Sequence, residues 1–206
     1  MHRLCLLMML LAHPALAQLP VEAFAGHERT TADVLWFRYF KNTSEENSRF
    51  LFFNRSRASV DYHNKTAFGL TSAVSYNFTS GIGIVAVAQF LNTGFYPKAG
   101  IQFFTRKKTF TLFTWLVTET RSDPSLDFFI LSRYEPALTE KLTLFSQAEL
   151  VNTTDRHGYY QFIQRIRLGV GFRQAWQTGF GADLQQAGKK TFATAQNLGV
   201  FIRKEF

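Results

Sequence analysis

Eight arginines fall on strand-like stretches in which alternate residues are small or polar: Arg38, Arg55, Arg57, Arg133, Arg165, Arg167, Arg173 and Arg203. Five acids share that parity: Asp127, Glu135, Glu149, Asp183 and Glu205. The planar fork of arginine suits carboxylate and phosphate groups. A row of such forks along a narrow aqueous path focuses the field and favours anions. With arginines outnumbering acids, the expectation is a positive interior path for small anionic solutes. The same residues allow another reading, in which arginine and acid ladders pair across a small interior and leave no pore. Parity alone does not choose between the two.

Enzymatic chemistry has less to stand on. A nucleophile, a base and an orienting group must come within hydrogen-bond reach. His27, His63 and His157 all fall in breaks or outside strands, and none sits in a serine-centred motif. His157 beside Asp155 in "TTDRHG" is the best pair, but a loop Asp and His two residues apart read as solvated turn residues. The Gly-x-Gly triplets at 81–83, 169–171 and 179–181 suit strand curvature or turns rather than a phosphate loop. No metal-ligand spacing or nucleotide fingerprint occurs, so no cofactor or metal is expected. A membrane-embedded lipid hydrolase or acyltransferase is therefore the third reading, behind a channel and a filled structural or interaction barrel.

Elements that could position these residues recur along the chain. The first seventeen residues, "MHRLCLLMMLLAHPALA", carry an early Arg, an apolar run from Leu4 to Ala12 and the small-x-small end Ala15-Leu16-Ala17. They read as a cleavable secretory signal peptide, with residues 18–206 as one mature domain. Cys5 lies inside the leader, so thiol and disulfide chemistry are excluded from the mature chain. Lys plus Arg number 23 against 15 Asp plus Glu. In an exported chain that excess points to anionic lipid or solutes rather than nucleic acid. Past the leader no run of about 20 apolar residues could cross a membrane as a helix.

Instead, short polar breaks separate about eleven strand-like segments, from "TADVLWFRYFK" to "TFATAQNLGVFIRKEF". In "TAFGLTSAVSYNF", Phe68, Leu70, Val74, Tyr76 and Phe78 share one face, and small or polar residues share the other. In "FIQRIRLGVGF", Phe162, Ile166, Leu168, Val170 and Phe172 oppose Arg165, Arg167, Gly169 and Gly171. "TFTLFTWLVTET" and "IGIVAVAQFLN" are apolar on both faces and stay ambiguous. A soluble β-sandwich or lipocalin-like barrel would also alternate. There, however, the apolar side fills an interior, where close packing favours mixed sizes. Here that side is crowded with Phe, Tyr and Leu, which suits lipid outside and water inside.

The chain ends in "NLGVFIRKEF", placing Leu198, Val200, Ile202 and the terminal Phe206 on one parity. In this it resembles the bacterial outer-membrane β-barrels as a broad class. That resemblance implies a single antiparallel up-and-down transmembrane barrel, all β, in the outer membrane. The barrel-assembly machinery would read Leu198, Val200, Ile202 and Phe206 as its signal. Lys204 departs from the pattern and is expected to snorkel to the interface. Strand numbers in the class are even. So residues 18–30 are expected to hold a twelfth strand, with ten strands as the other count. The architecture is similar to that of the small twelve-stranded acidic-sugar porins, without a shared motif. "NKT", "NFT" and "NTT" match the glycosylation acceptor pattern, which bacterial export makes irrelevant. Outer-membrane lipid, the assembly machinery and small anionic solutes are the expected partners.

Overall fold

The computed structural model describes residues 19–172 and 175–206. The expected leader and Arg173 lie outside the described residues. Twelve strands follow one another: β1 (Pro20–Gly26), β2 (Arg29–Lys41), β3 (Asn47–Asp61), β4 (Thr66–Asn77), β5 (Ile82–Leu91), β6 (Gly94–Arg106), β7 (Phe110–Glu119), β8 (Ser125–Tyr134), β9 (Leu142–Asp155), β10 (Tyr160–Phe172), β11 (Trp176–Gly188) and β12 (Phe192–Glu205). Each pairs antiparallel with its sequence neighbours, and β1 pairs with β12 to close the barrel. The strand suspected within residues 18–30 is β1, so the count is twelve and not ten. Closure is what hydrocarbon demands, because an unpaired strand edge would leave backbone groups without partners.

The seam runs from Pro20 opposite Glu205 to Gly26 opposite Gly199. Phe206 and Leu19 extend it by exchanging backbone hydrogen bonds of 3.1 and 3.2 Å. Leu198, Val200, Ile202 and Phe206 are all exposed on the outer face. Lys204 lies among them with its Nζ 5.1 Å from the Trp176 ring centre and 4.4 Å from that of Phe206. The rings give the ammonium a favourable cation–π seat on an otherwise apolar face. Around the barrel, Ile84, Ile101, Ile166, Leu168 and Phe180 are more than half exposed. A water-soluble protein rarely shows such a continuous apolar belt.

Three hairpins share one turn chemistry. Asn42, Asp61 and Asp155 each accept, through the side-chain Oδ1, two backbone N–H bonds from residues two and four positions on. In each the fourth residue has positive φ: Glu45 (63°), Asn64 (60°) and Gly158 (76°). A type I turn followed by a left-handed residue matches the twist of the two strands it joins. The "TTDRHG" Asp is thus a turn former, as its spacing suggested.

The inner face departs from the expected polar lining. Over β2 to β8 it carries a packed apolar cluster that includes Leu35, Phe53, Ala73, Val85, Phe104, Phe113, Trp115, Phe129 and Leu131, with Val151 of β9 packed against it. The two ambiguous segments supply part of it: β5 turns Val85 and Val87 inward, and β7 turns Phe113, Trp115 and Val117 inward. Phe113 is at its centre. Its ring lies 5.0 Å from Phe37, 5.1 Å from Phe53, 5.4 Å from Trp115 and 5.8 Å from Phe129, centroid to centroid. Arg38 is a second correction. Asp33, Leu35 and Phe37 take the inward parity of β2, so Arg38 falls on the outer side with Trp36 and is exposed. Both faces of β2 are apolar at this point, and parity could not tell them apart.

Candidate functional site in the barrel lumen

Inward side chains of six strands meet at mid-height in one unbroken chain of ion pairs. Glu22 on β1 accepts from Arg167 Nε on β10 at 2.9 Å, and Arg167 Nη1 donates to Asp183 on β11 at 2.7 Å. Asp183 also accepts from Arg57 Nη2 on β3 at 2.8 Å. Arg57 Nη1 lies 3.5 Å from Asp33 on β2. Asp33 takes both Nε and Nη2 of Arg55 in a two-pronged pair. Arg55 Nη1 then donates to Glu149 on β9 at 2.6 Å, and Glu149 accepts from Arg165 Nη1 at 3.2 Å. Gln147 Nε2 adds a further bond to Glu149 at 2.8 Å. β3 and β9 are six places apart in a ring of twelve, so the Arg55–Glu149 pair joins opposite walls.

Each member is held by local structure. Gly181 faces the Arg167 side chain, and a Cβ there would stand 2.9 Å from Arg167 Cδ and 2.8 Å from the Phe24 ring. The bare backbone lets the guanidinium lie 4.0 Å over Phe24 while still reaching both acids. Opposite charges also sit directly across strand pairs: Arg57 faces Asp33, and Arg165 faces both Glu149 and Asp183. Such pairs favour the observed register.

Four arginines and four acids make this belt neutral, which corrects the expected excess of positive charge. Two of the acids, Glu22 and Asp33, were not among the sequence candidates. Glu22 lies on the short β1, and Asp33 precedes a stretch apolar on both faces. Lys98, paired with Asp127 on the inner wall, was also missed. The remaining candidates lie nearer the end that holds the chain termini. Arg133 Nε and Arg203 Nη1 both donate to Gln147 Oε1, at 2.8 and 3.3 Å. Arg203 Nη2 is 3.5 Å from Glu205, and Glu135 accepts from Gln177 at 3.0 Å.

Neutral in sum, the belt is not neutral in what it shows. Side-chain exposure is 12% for Arg55, 17% for Arg57 and 15% for Arg165, with Asp33 at 10%, Glu22 at 9%, and Glu149, Asp183 and Arg167 at 3 to 4%. The three guanidiniums form part of the lining of a vestibule of about 760 Å³. It opens toward the end remote from the termini, where Asp155 and Tyr159 lie at its rim. Arg165 has a single acid partner, and its Nε and Nη2 make no hydrogen bond among the described residues. A cavity of about 730 Å³ at the terminus end is lined by Tyr39, Leu51, Phe104 and Arg106. The belt and the aromatic cluster lie between the two.

His157 does not pair with Asp155 as a catalytic couple. Its Nε2 lies 2.9 Å from Asp123 Oδ2 on the β7–β8 loop, and Arg156 Nε is 2.6 Å from Asp123 Oδ1. The His157 contact, then the charges of Arg156 and His157, hold the Asp123 carboxyl below the ordinary aspartate value. All three are exposed. No group of three or more His, Cys, Asp or Glu able to hold a metal occurs among the described residues.

No protein-family model matches the chain, and no curated protein matches it in sequence. Solved structures do resemble it. The NanC porin superposes with a TM-score of 0.52 at 9% identity, covering 91% of this chain and 98% of that one. The KdgM porin in complex with disordered oligogalacturonate gives 0.51 at 11% identity, covering 92% and 99%. At such identities the likeness concerns the fold: a closed twelve-stranded antiparallel barrel of the outer-membrane type.

Proposed function

We propose that this protein lies in the bacterial outer membrane and provides a narrow passive path for small anionic solutes. The observation that carries this reading is the vestibule, whose lining takes in Arg55, Arg57 and Arg165 but none of the four acids of the belt. A solute carboxylate descending from the open end meets the spare donors of Arg165 and the edges of Arg57 and Arg55 before any belt acid. Charge-assisted bonds to a planar guanidinium suit that group. The KdgM porin, with the same fold, was captured with oligogalacturonate, itself a chain of carboxylates. Barrel insertion would proceed through the assembly machinery, with Leu198, Val200, Ile202 and Phe206 as its signal.

A second reading rests on the Arg55–Glu149 pair, which crosses the lumen. In it the barrel binds solute at the vestibule and passes nothing. Planar-bilayer recording with a salt gradient separates the two. The channel reading predicts small conductance steps and a reversal potential favouring chloride over potassium. It also predicts that Arg57→Gln with Arg165→Gln shifts that potential toward cations. Absence of steps from the folded barrel would leave only the closed reading.

A further inference from the structure

The vestibule wall is two-sided in a way that charge alone does not explain. One register row crosses four strands: Trp115 opposite Phe129, Phe129 opposite Val151, and Val151 opposite Ile163. All four side chains line the vestibule. The Trp115 and Phe129 rings are tilted against each other at 5.3 Å, and Phe53 meets Trp115 edge-on at 5.2 Å. These four side chains are apolar; the next member of the row, Gln185 opposite Ile163, is polar, as are Asp127, Thr153 and Gln161 in the inward row nearer the mouth.

We infer that the vestibule takes a small amphipathic carboxylate, an aromatic acid of the benzoate type, in preference to a sugar acid. This rests on the reading of the vestibule as the anion's site and adds the substrate class. The carboxylate is held by Arg165 and Arg57, and the ring lies against the half-buried Val151 and Ile163 and the edges of the nearly covered Trp115 and Phe129. Offset or edge contacts between rings favour such a fit beyond simple burial. A sugar acid would set some hydroxyls against the four apolar side chains, away from Gln185, Thr153 and Gln161, and a buried hydroxyl without a partner is unfavourable.

The test is a ligand-observed NMR titration of the intact barrel in detergent micelles, with empty micelles subtracted. The probes are benzoate, galacturonate, acetate and benzyl alcohol. Benzoate is expected to bind about tenfold or more tighter than galacturonate, and likewise than the uncharged benzyl alcohol. Trp115→Leu is expected to weaken benzoate by roughly three- to tenfold and to leave acetate unchanged. Heat-modifiable gel mobility confirms that this variant is a closed barrel, and the four wild-type titrations decide the matter if it is not. Galacturonate or benzyl alcohol binding as tightly as benzoate overturns the inference. If galacturonate equals benzoate while chloride selectivity persists in the bilayer, the anion path stands without it. If no carboxylate binds and no anion selectivity is found, both fall together.

Discussion

Replacing Phe113 by alanine probes whether half of this lumen is dry. The ring is 1% exposed and touches four other aromatic side chains at centroid distances of 5.0 to 5.8 Å. A benzyl group fills roughly 100 Å³. At about 24 cal/mol per Å³, a void of that size costs about 2.4 kcal/mol, and the lost transfer free energy adds about 2 kcal/mol. Neighbouring rings can tilt inward and recover part of this, so the expected loss is about 3 to 4 kcal/mol. Urea unfolding of the barrel in lipid vesicles, followed by circular dichroism under conditions shown to be reversible, measures it. In planar bilayers the same variant is expected to raise single-channel conductance, because the cluster stands between the two cavities. A stability loss below about 1 kcal/mol would mean that water already reaches the ring, refuting a dry half-lumen.

Other consequences follow from the belt, the loops and the chain end. Glu149→Gln removes the acid that serves both Arg55 and Arg165. It is expected to destabilise the barrel by about 2 to 4 kcal/mol in the same urea assay, with anion preference strengthened in the bilayer. Because the Asp123 carboxyl is depressed when folded, its pairing with His157 and Arg156 persists above the unfolded aspartate value and is lost as pH falls through the lower folded one. The His157 ring resonances should report this as an acid inflection below the ordinary aspartate range, absent in Asp123→Asn. Deleting Phe206 is expected to lower the amount of heat-modifiable barrel in outer-membrane fractions while purified protein still folds in detergent. Unchanged membrane levels would remove the assembly role given to the chain end.

Much of the architecture was legible because lipid outside and water inside impose a strict two-residue period. β4 shows it cleanly, and β10 and β12 show it apart from Ile163, Gln164, Phe201 and Lys204. Where the interior is itself apolar, the period vanishes: β5 and β7 carry greasy residues on both faces because they build the aromatic cluster. The same loss of contrast hid the outward position of Arg38 on β2. Charge partners were illegible for a different reason. Glu22 and Arg167 are 145 residues apart and meet only because β1 closes against β12. Asn197 escaped notice likewise. Fully buried, it accepts from the backbone N–H of Glu28 and Arg29 and donates to the Arg29 carbonyl, pinning the first hairpin from across the seam. No local signal marks such a residue, since its partners are set by register rather than by sequence spacing.

Which side of the sheet meets hydrocarbon is the point on which fold and lumen both depend. Trp36 and Trp176 lie on the outer parity of β2 and β11, whereas Trp115 is 7% exposed inside the lumen. Single-tryptophan variants reconstituted with brominated lipids should therefore show strong quenching for Trp36 and Trp176 and almost none for Trp115. Quenching of Trp115, or silence from the other two, would contradict the assignment of the faces.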